Sequence, residues 1–434
     1  MNPWGVNIAC LLKTSYFCEA IDKFTFIPLH KYMYTLMEPI HPIHTMRLTE
    51  PTGSMNPMEK KHDASLDLVR LIAFILLIAC HACDPFNAAA TYGSGEANPE
   101  FTWWGAVWGS VVRPCVPLFV MLTGALLLQR PLGEHFYRRR IPRVLWPFLI
   151  WSVLYYLFPW ILGLLGGGAD AVTLFFPWTE TTSQTLATAW SRIVRIPFHF
   201  SYVACHMWYI YMLVGLYLYL PVFSAWVERA TRRQQEGFLG IWALSTFLPY
   251  VTEFVSKYQF GTCDWNQFGL FYYFAGFNGY LLLGHYLRTY VRWSLPRALA
   301  VGVPLFVAGY AVNLSGYLHV LSMDQPTPQQ VELFWTYCTP NVACMSVALF
   351  LVARALPVCS QRVRALLAHL TYCGFGIYMI HYFFIGPVFE AVTRLGVPVP
   401  LRIGVAAVLV LCVSWAVVTL GKRWLGRAAK VVFG

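Results

Sequence analysis

The sequence predicts an all-α fold, a polytopic membrane helix bundle, and three observations carry that reading. Of 434 residues, 58% are hydrophobic and 17% aromatic, only 12% are charged, and mean hydropathy is +0.53, outside the habits of a soluble chain. Apolar windows of about 20 residues, the length that crosses a hydrocarbon core of about 30 Å, recur along almost all of the chain after residue 65. Windows of that length, rather than alternating runs of about ten, mean helices and not a barrel, because a lipid-facing backbone must satisfy its own hydrogen bonds.

Residues 1–57 differ from the rest. They hold no long apolar run, and "MEPIHPIHTMRLTEPTGS" reads as an irregular, Pro-bearing stretch. No positive n-region precedes "VNIACLL" and no clean cleavage site follows it, so a signal peptide fits poorly. Two readings stand: a cytoplasmic extension, or a misassigned start with the chain beginning at Met55 or Met58. The second fits better, because "MEKKHDASLDLVR" has the short basic start expected before a first outward helix.

From 58 to 434 the chain reads as one transmembrane domain of about ten helices, near 66–86, 103–128, 143–166, 205–226, 238–256, 268–289, 297–316, 335–356, 370–393 and 401–425. The sixth is the poorest, holding Asn278 and several glycines. The longest outer loop, about 167–204, contains "TLFFPW" and "TLATAWSRIVRI", which suit the membrane interface. No internal repeat is visible.

The net charge of +11 reports topology. Eighteen Lys and Arg fall in loops after even-numbered spans and in the C-terminal tail, among them Arg138, Arg139, Arg140 and Arg143. Five fall in loops after odd-numbered spans: Arg192, Arg195, Lys257, Arg394 and Arg402. The positive-inside rule then puts both termini in the cytoplasm, and no nucleic-acid partner is needed to explain the basic balance. The partner it does imply is the lipid bilayer.

The twelve cysteines are scattered, mostly within apolar spans, and read as packing residues without a disulfide framework. Cys80 and Cys83 flank His81, but haem attachment needs the His after the second Cys, and zinc needs further ligands that nothing links to this segment. No metal is expected.

Ionisable groups inside a span are costly, so function is their first reading. The first span carries Asp67, Arg70, His81 and Asp84. Eleven residues separate Arg70 from His81, which leaves them about 20° apart around a helix and roughly 16 Å apart along it. They share one face, with Arg70 near the cytoplasmic boundary. The plainer alternatives are that Arg70 snorkels to headgroups and that His81 bonds a neighbouring helix.

That Arg, ten residues, His spacing in "SLDLVRLIAFILLIACHA" resembles the opening helix of the integral-membrane acyltransferase-3 family. "RPCVPLFVMLTGALLL" resembles the family's second helix, with Thr123 where Ser is usual. "FYRRRIPRVLWPFLIW" carries an Arg-x-x-Arg at Arg140 and Arg143, and "HMWYIYMLVGLYLYLPV" and "YCGFGIYMIH" follow in the family's order. The closest branch resembles the O-acetyltransferase acting on enterobacterial common antigen. The resemblance implies a multi-pass protein of the bacterial inner membrane. It would move an acyl group, usually acetyl from acetyl-CoA, to a hydroxyl of an envelope polysaccharide or lipid-linked sugar, with no permanently bound cofactor.

A sugar hydroxyl needs a base to take its proton as it attacks the thioester, and His81 fits by type and depth. Asp84, one turn on, would orient its imidazole; an acyl-histidine intermediate stays open. Arg140 and Arg143 match the phosphates of CoA, with Arg70 lining the passage between that site and His81. Arg113, near mid-depth of the second span, would stabilise an oxyanion or the passing donor arm, or pair with an acid. His381, Tyr378, His206 and Trp208 are candidates for the acceptor side. The competing reading is a transporter with His81 in a proton relay, and a third is a catalytically silent binding scaffold.

Overall fold

A computed structural model describes residues 63–87, 98–129, 132–176, 183–256 and 258–434. The two readings of residues 1–57 lie outside the described residues. Every regular element among the described residues is a helix, and apart from one-turn α-helices at Pro328–Val331 and Ala429–Val432 and several 3-10 turns these are α1 (Ala64–Ala82), α2 (Pro99–Val112), α3 (Cys115–Leu127), α4 (Phe136–Leu164), α5 (Ala169–Phe175), α6 (Leu186–Val194), α7 (Trp208–Arg229), α8 (Arg232–Ser245), α9 (Leu248–Phe254), α10 (Asn278–Tyr290), α11 (Leu295–Leu321), α12 (Pro340–Ala355), α13 (Gln361–Ile380), α14 (Tyr382–Arg394) and α15 (Val399–Leu425).

Asp63 opens α1 by accepting the Ser65 amide at 3.2 Å, as an N-cap should. From there α1 runs through the middle of the bundle, packing against α2, α3, α12, α13, α14 and α15. Its buried side chains include Val69, Ala73, Leu77 and Ile78. The helix that carries Arg70 and His81 is therefore among the more enclosed spans, with only the α2–α3 stretch more buried.

Eight helical stretches among the described residues are long and apolar enough to cross a membrane. They correspond to the first four and last four expected spans. The fifth and sixth differ. α8 stops at Ser245, turn residues Thr246 and Phe247 follow, and α9 restarts with Pro249 in its first turn, where a proline loses nothing. The chain then returns without a long helix as far as α10, whose 13 residues rise only about 20 Å. α8 and α10 lie antiparallel: the Trp242 indole donates to the Gly276 carbonyl at 2.9 Å, and the Tyr286 hydroxyl donates to Glu236 at 2.6 Å.

α10 is held in place by close backbone contact with α3. A Cβ at Gly124 would lie 1.9 Å from the Leu281 carbonyl oxygen, and one at Gly284 would lie 1.9 Å from that of Met121. This is the reciprocal small-residue packing that membrane helices use in place of a hydrophobic driving force. It sets Phe277, just ahead of α10, 6.3 Å ring to ring from Trp208 and 6.4 Å from Tyr337.

Candidate functional site

Four of the residues singled out from the sequence sit where a helix is interrupted. His81 is the penultimate residue of α1. Arg113 lies at the junction of α2 and α3, followed by Pro114. His206 belongs to the 3-10 turn Tyr202–Met207 that leads into α7. His381 separates α13 from α14. At Arg113 the cause is visible in the sequence, since Pro117 has no N–H for the Arg113 carbonyl.

Three of these interruptions meet. The rings of His81, His206 and His381 have centroids 5.5 Å (His81 to His381), 5.1 Å (His206 to His381) and 6.3 Å (His81 to His206) apart. Tyr382 packs against two of them, 5.3 Å from His81 and 5.0 Å from His206. His206 is 1% exposed and His381 0%, so the cluster lies inside the bundle.

Each imidazole has a different polar environment. His81 Nδ1 is 3.4 Å from Asp84 Oδ2, and a carboxylate accepts, so Nδ1 carries the proton and Nε2 the lone pair. His381 Nδ1 is 2.7 Å from the Tyr378 carbonyl, which can only accept. That leaves His381 Nε2 as a bare nitrogen, buried and without a partner among the described residues. Neither ring nitrogen of His206 makes a well-formed hydrogen bond among the described residues, the Met379 carbonyl being the backbone acceptor near it. The Tyr378 hydroxyl donates to the His206 backbone carbonyl, so Tyr378 fastens the turn that presents His206.

A small cavity of about 20 Å³ lies between α1, α3, α7 and α13, with Cys80, His81, His206, Trp208, Tyr337 and Tyr378 among its walls. Trp208 stacks on Tyr337 with centroids 5.7 Å apart and planes at 20°, and the Tyr280 hydroxyl holds the Tyr337 carbonyl at 2.6 Å. Trp208 and Tyr337 thus form a stacked aromatic pair anchored from α10.

Arg113 stands one layer behind this wall. Its guanidinium lies 4.1 Å over the Trp335 ring, its Nε donates to the Gly109 carbonyl at 2.8 Å, and Cys80, Tyr337 and Glu332 are electrostatic neighbours. Trp335 in turn donates to Ser110 at 3.1 Å. Arg113 is thus a buried cation beside two residues of the cavity wall, Cys80 and Tyr337.

Toward the N-terminal end of α1, Arg70 Nη1 donates to Asp67 at 3.2 Å and to Thr371 at 3.0 Å, and the Thr371 hydroxyl donates to Asp67 at 2.7 Å. This joins α1 to α13. Arg70 also has Tyr217 as an electrostatic neighbour, and Tyr217 has Arg140 as another. The structure thus brings Arg140 and Arg70 to one tyrosine. Arg143 is exposed and Arg140 only partly so. Arg288 pairs with Asp63 at 3.9 Å, and Arg354 has both as electrostatic neighbours, adding cations around the start of α1.

Tyr217, Thr371 and Tyr382 are contacts that the sequence reading did not single out. Tyr217 was the most accessible of them: it lies eleven residues beyond His206, the same interval that separates Arg70 from His81, counted along an antiparallel helix. Among the described residues no group of three His, Cys, Asp or Glu has the geometry to hold a metal ion.

A family model described as an acyltransferase domain matches residues 63–419. Comparison with curated proteins and with solved structures gives no match. The matched stretch takes in α1 to α14 and most of α15, and with them every residue of the cavity wall.

Proposed function

Because the chain belongs to the acyltransferase-3 family and is a membrane acyltransferase, we propose that it takes acetyl from cytoplasmic acetyl-CoA and places it on a hydroxyl of an envelope polysaccharide or lipid-linked sugar, in a bacterial inner membrane. The observation that carries this reading is the convergence of His81, His206 and His381 on one cavity, with Arg70 and Arg140 gathered about Tyr217 on its cytoplasmic side.

The residues divide the work. Arg140 binds phosphate oxygens of CoA, with Arg143 at the exposed rim, and Arg70 keeps the passage between them and His81 cationic. The acceptor sugar stacks on Trp208, and its hydroxyl faces His206. His81 Nε2 takes the hydroxyl proton as oxygen attacks the thioester carbon; the C–S bond breaks, and the CoA sulfur receives that proton. Asp84 holds the tautomer that makes Nε2 the base. His381 Nε2 is a second proton acceptor in the same cluster. Arg113 adds positive potential as negative charge grows on the carbonyl oxygen.

Membranes bearing His81→Ala are expected to lose acetyl transfer from labelled acetyl-CoA while keeping folded protein. Full activity in that variant would remove His81 from the mechanism. The transporter reading predicts uptake of intact substrate into sealed vesicles, with no label transferred.

A further inference from the structure

Along its last two to three turns α7 does not close fully on α8. A groove of about 500 Å³ runs between them, walled by Tyr219, Phe223 and Trp226 of α7, by Gly237 and Phe238 of α8, and by Tyr273 of the stretch that leads into α10. That volume falls within the range of about 300–1,000 Å³ that small-molecule sites occupy. The floor is a packed aromatic layer: Phe223 lies 5.5 Å from Trp226 and 5.4 Å from Phe238, and Phe238 lies 5.0 Å from Phe274. The rim is open, with Val222 67% and Tyr273 79% exposed. A Cβ at Gly237 would meet nothing within 4 Å, so the chain leaves the space above that residue unfilled. No charged residue is among the walls.

Cations stand at one end of this groove. α7 closes the stretch Val203–Arg229, which is long and apolar enough to cross a membrane, so Arg229 falls at headgroup depth. Arg229 lies seven residues beyond Val222 of the groove wall and about 20° from it around the helix. Arg233 comes four residues before Gly237, about 40° from it. Both arginines are exposed. The acids nearby face elsewhere: Glu228 is about 160° from Trp226 around α7, and Glu236 is about 160° from Phe238 around α8. Glu236 pairs with Arg232 at 2.8 Å on that far side.

An apolar trench that ends at two arginines has the build of a phospholipid site, with a place for a chain and a place for a phosphate. We propose that the groove holds an acyl chain of an anionic phospholipid whose phosphate sits against Arg229 and Arg233. A zwitterionic headgroup brings its own cation, which the two arginines repel. An anionic one does not, and basic pockets between membrane helices select anionic headgroups on this principle. Lipid seated there spans α7, α8 and the stretch that holds Tyr273. Phe277, at the end of that stretch, packs 6.3 Å from Trp208, so the lipid supports one wall of the histidine cavity from the membrane side.

The test is native mass spectrometry of the full-length protein released from nanodiscs that hold equal parts of phosphatidylglycerol and phosphatidylcholine with the same acyl chains. The wild type is expected to retain one phosphatidylglycerol per chain in preference to phosphatidylcholine. Each arginine removed is expected to weaken retention about fivefold, so the double variant Arg229→Gln, Arg233→Gln should lose the preference between the two lipids. Gly237→Trp places an indole in the trench and is expected to shed bound lipid while eluting as folded protein; Val222→Trp, at a position already exposed, fills the same space if the first variant fails to fold. Equal retention of both lipids by the wild type overturns the proposal, as does undiminished phosphatidylglycerol in either the arginine or the tryptophan variant. A two-chain species that Gly237→Trp or Val222→Trp separates also overturns it, because a second copy of this chain would then be the occupant.

Discussion

His381 gives its Nδ1 proton to the carbonyl of Tyr378 at 2.7 Å, and that single bond decides which face of the imidazole is available for chemistry. The bond is local, three residues back along the chain, at the point where α13 gives way to α14. It turns Nε2 into the histidine cluster as a lone pair.

His381→Asn separates the two nitrogens. The asparagine amide can still donate to the Tyr378 carbonyl from near the Nδ1 position, but it offers nothing at Nε2. Acetyl transfer is expected to fall by roughly 10²- to 10⁴-fold, with size-exclusion elution and thermal unfolding unchanged. A variant of wild-type activity would show that Nε2 takes no part.

Asp84→Asn removes the charge that fixes the His81 tautomer while keeping the shape. An amide can donate to Nδ1, which moves the imidazole proton to Nε2 and occupies the base. A loss of about 100-fold or more in kcat is expected, with the apparent affinity for acetyl-CoA unchanged. A change confined to KM would place Asp84 outside proton handling.

Arg140 and Arg143 are equivalent in the Arg-x-x-Arg motif but not in the structure, where only Arg140 approaches Tyr217 and Arg143 is exposed. A charge-assisted hydrogen bond is worth about 1.5–3 kcal/mol, so Arg140→Ala is expected to raise the acetyl-CoA requirement roughly 10- to 100-fold. Arg143→Ala should raise it less. Saturation curves on membranes check both, and equal shifts would contradict the asymmetry.

Gly124→Leu or Gly284→Leu forces a side chain onto a backbone carbonyl of the facing helix, at a Cβ distance of 1.9 Å in each case. Backbone cannot rotate away as a side chain can. A loss of more than about 3 kcal/mol is expected, seen as failure to recover folded protein from membranes. Gly215→Ala, where a Cβ meets nothing within 4 Å, is expected to behave as wild type.

Hydropathy and helical arithmetic disclosed much of this arrangement. Eight spans follow directly from apolar windows, and the shared face of Arg70 and His81 follows from 100° per residue. What differs is the build of the fifth and sixth segments, where α8, α9 and α10 are short helices. A window average registers apolar content, and the stretch from Phe238 to Phe277 is apolar enough, but it does not register turns at Thr246 and Phe247 or a return with little helix. The meeting of His81, His206 and His381 was also illegible, because periodicity assigns a face to each helix and says nothing of which faces meet.

The solitude of His206 has an energetic sign. A buried imidazole with no well-formed hydrogen bond at either nitrogen, only the Met379 carbonyl nearby, gives up hydration and receives little in return from the chain, so the folded bundle carries a standing deficit at that position. Replacing His206 with Leu is therefore expected to raise the unfolding temperature while it abolishes acetyl transfer, the reverse of what large-to-small changes do elsewhere in a core. Activity and stability pull in opposite directions there, which gives a way to recognise the reaction centre by calorimetry alone.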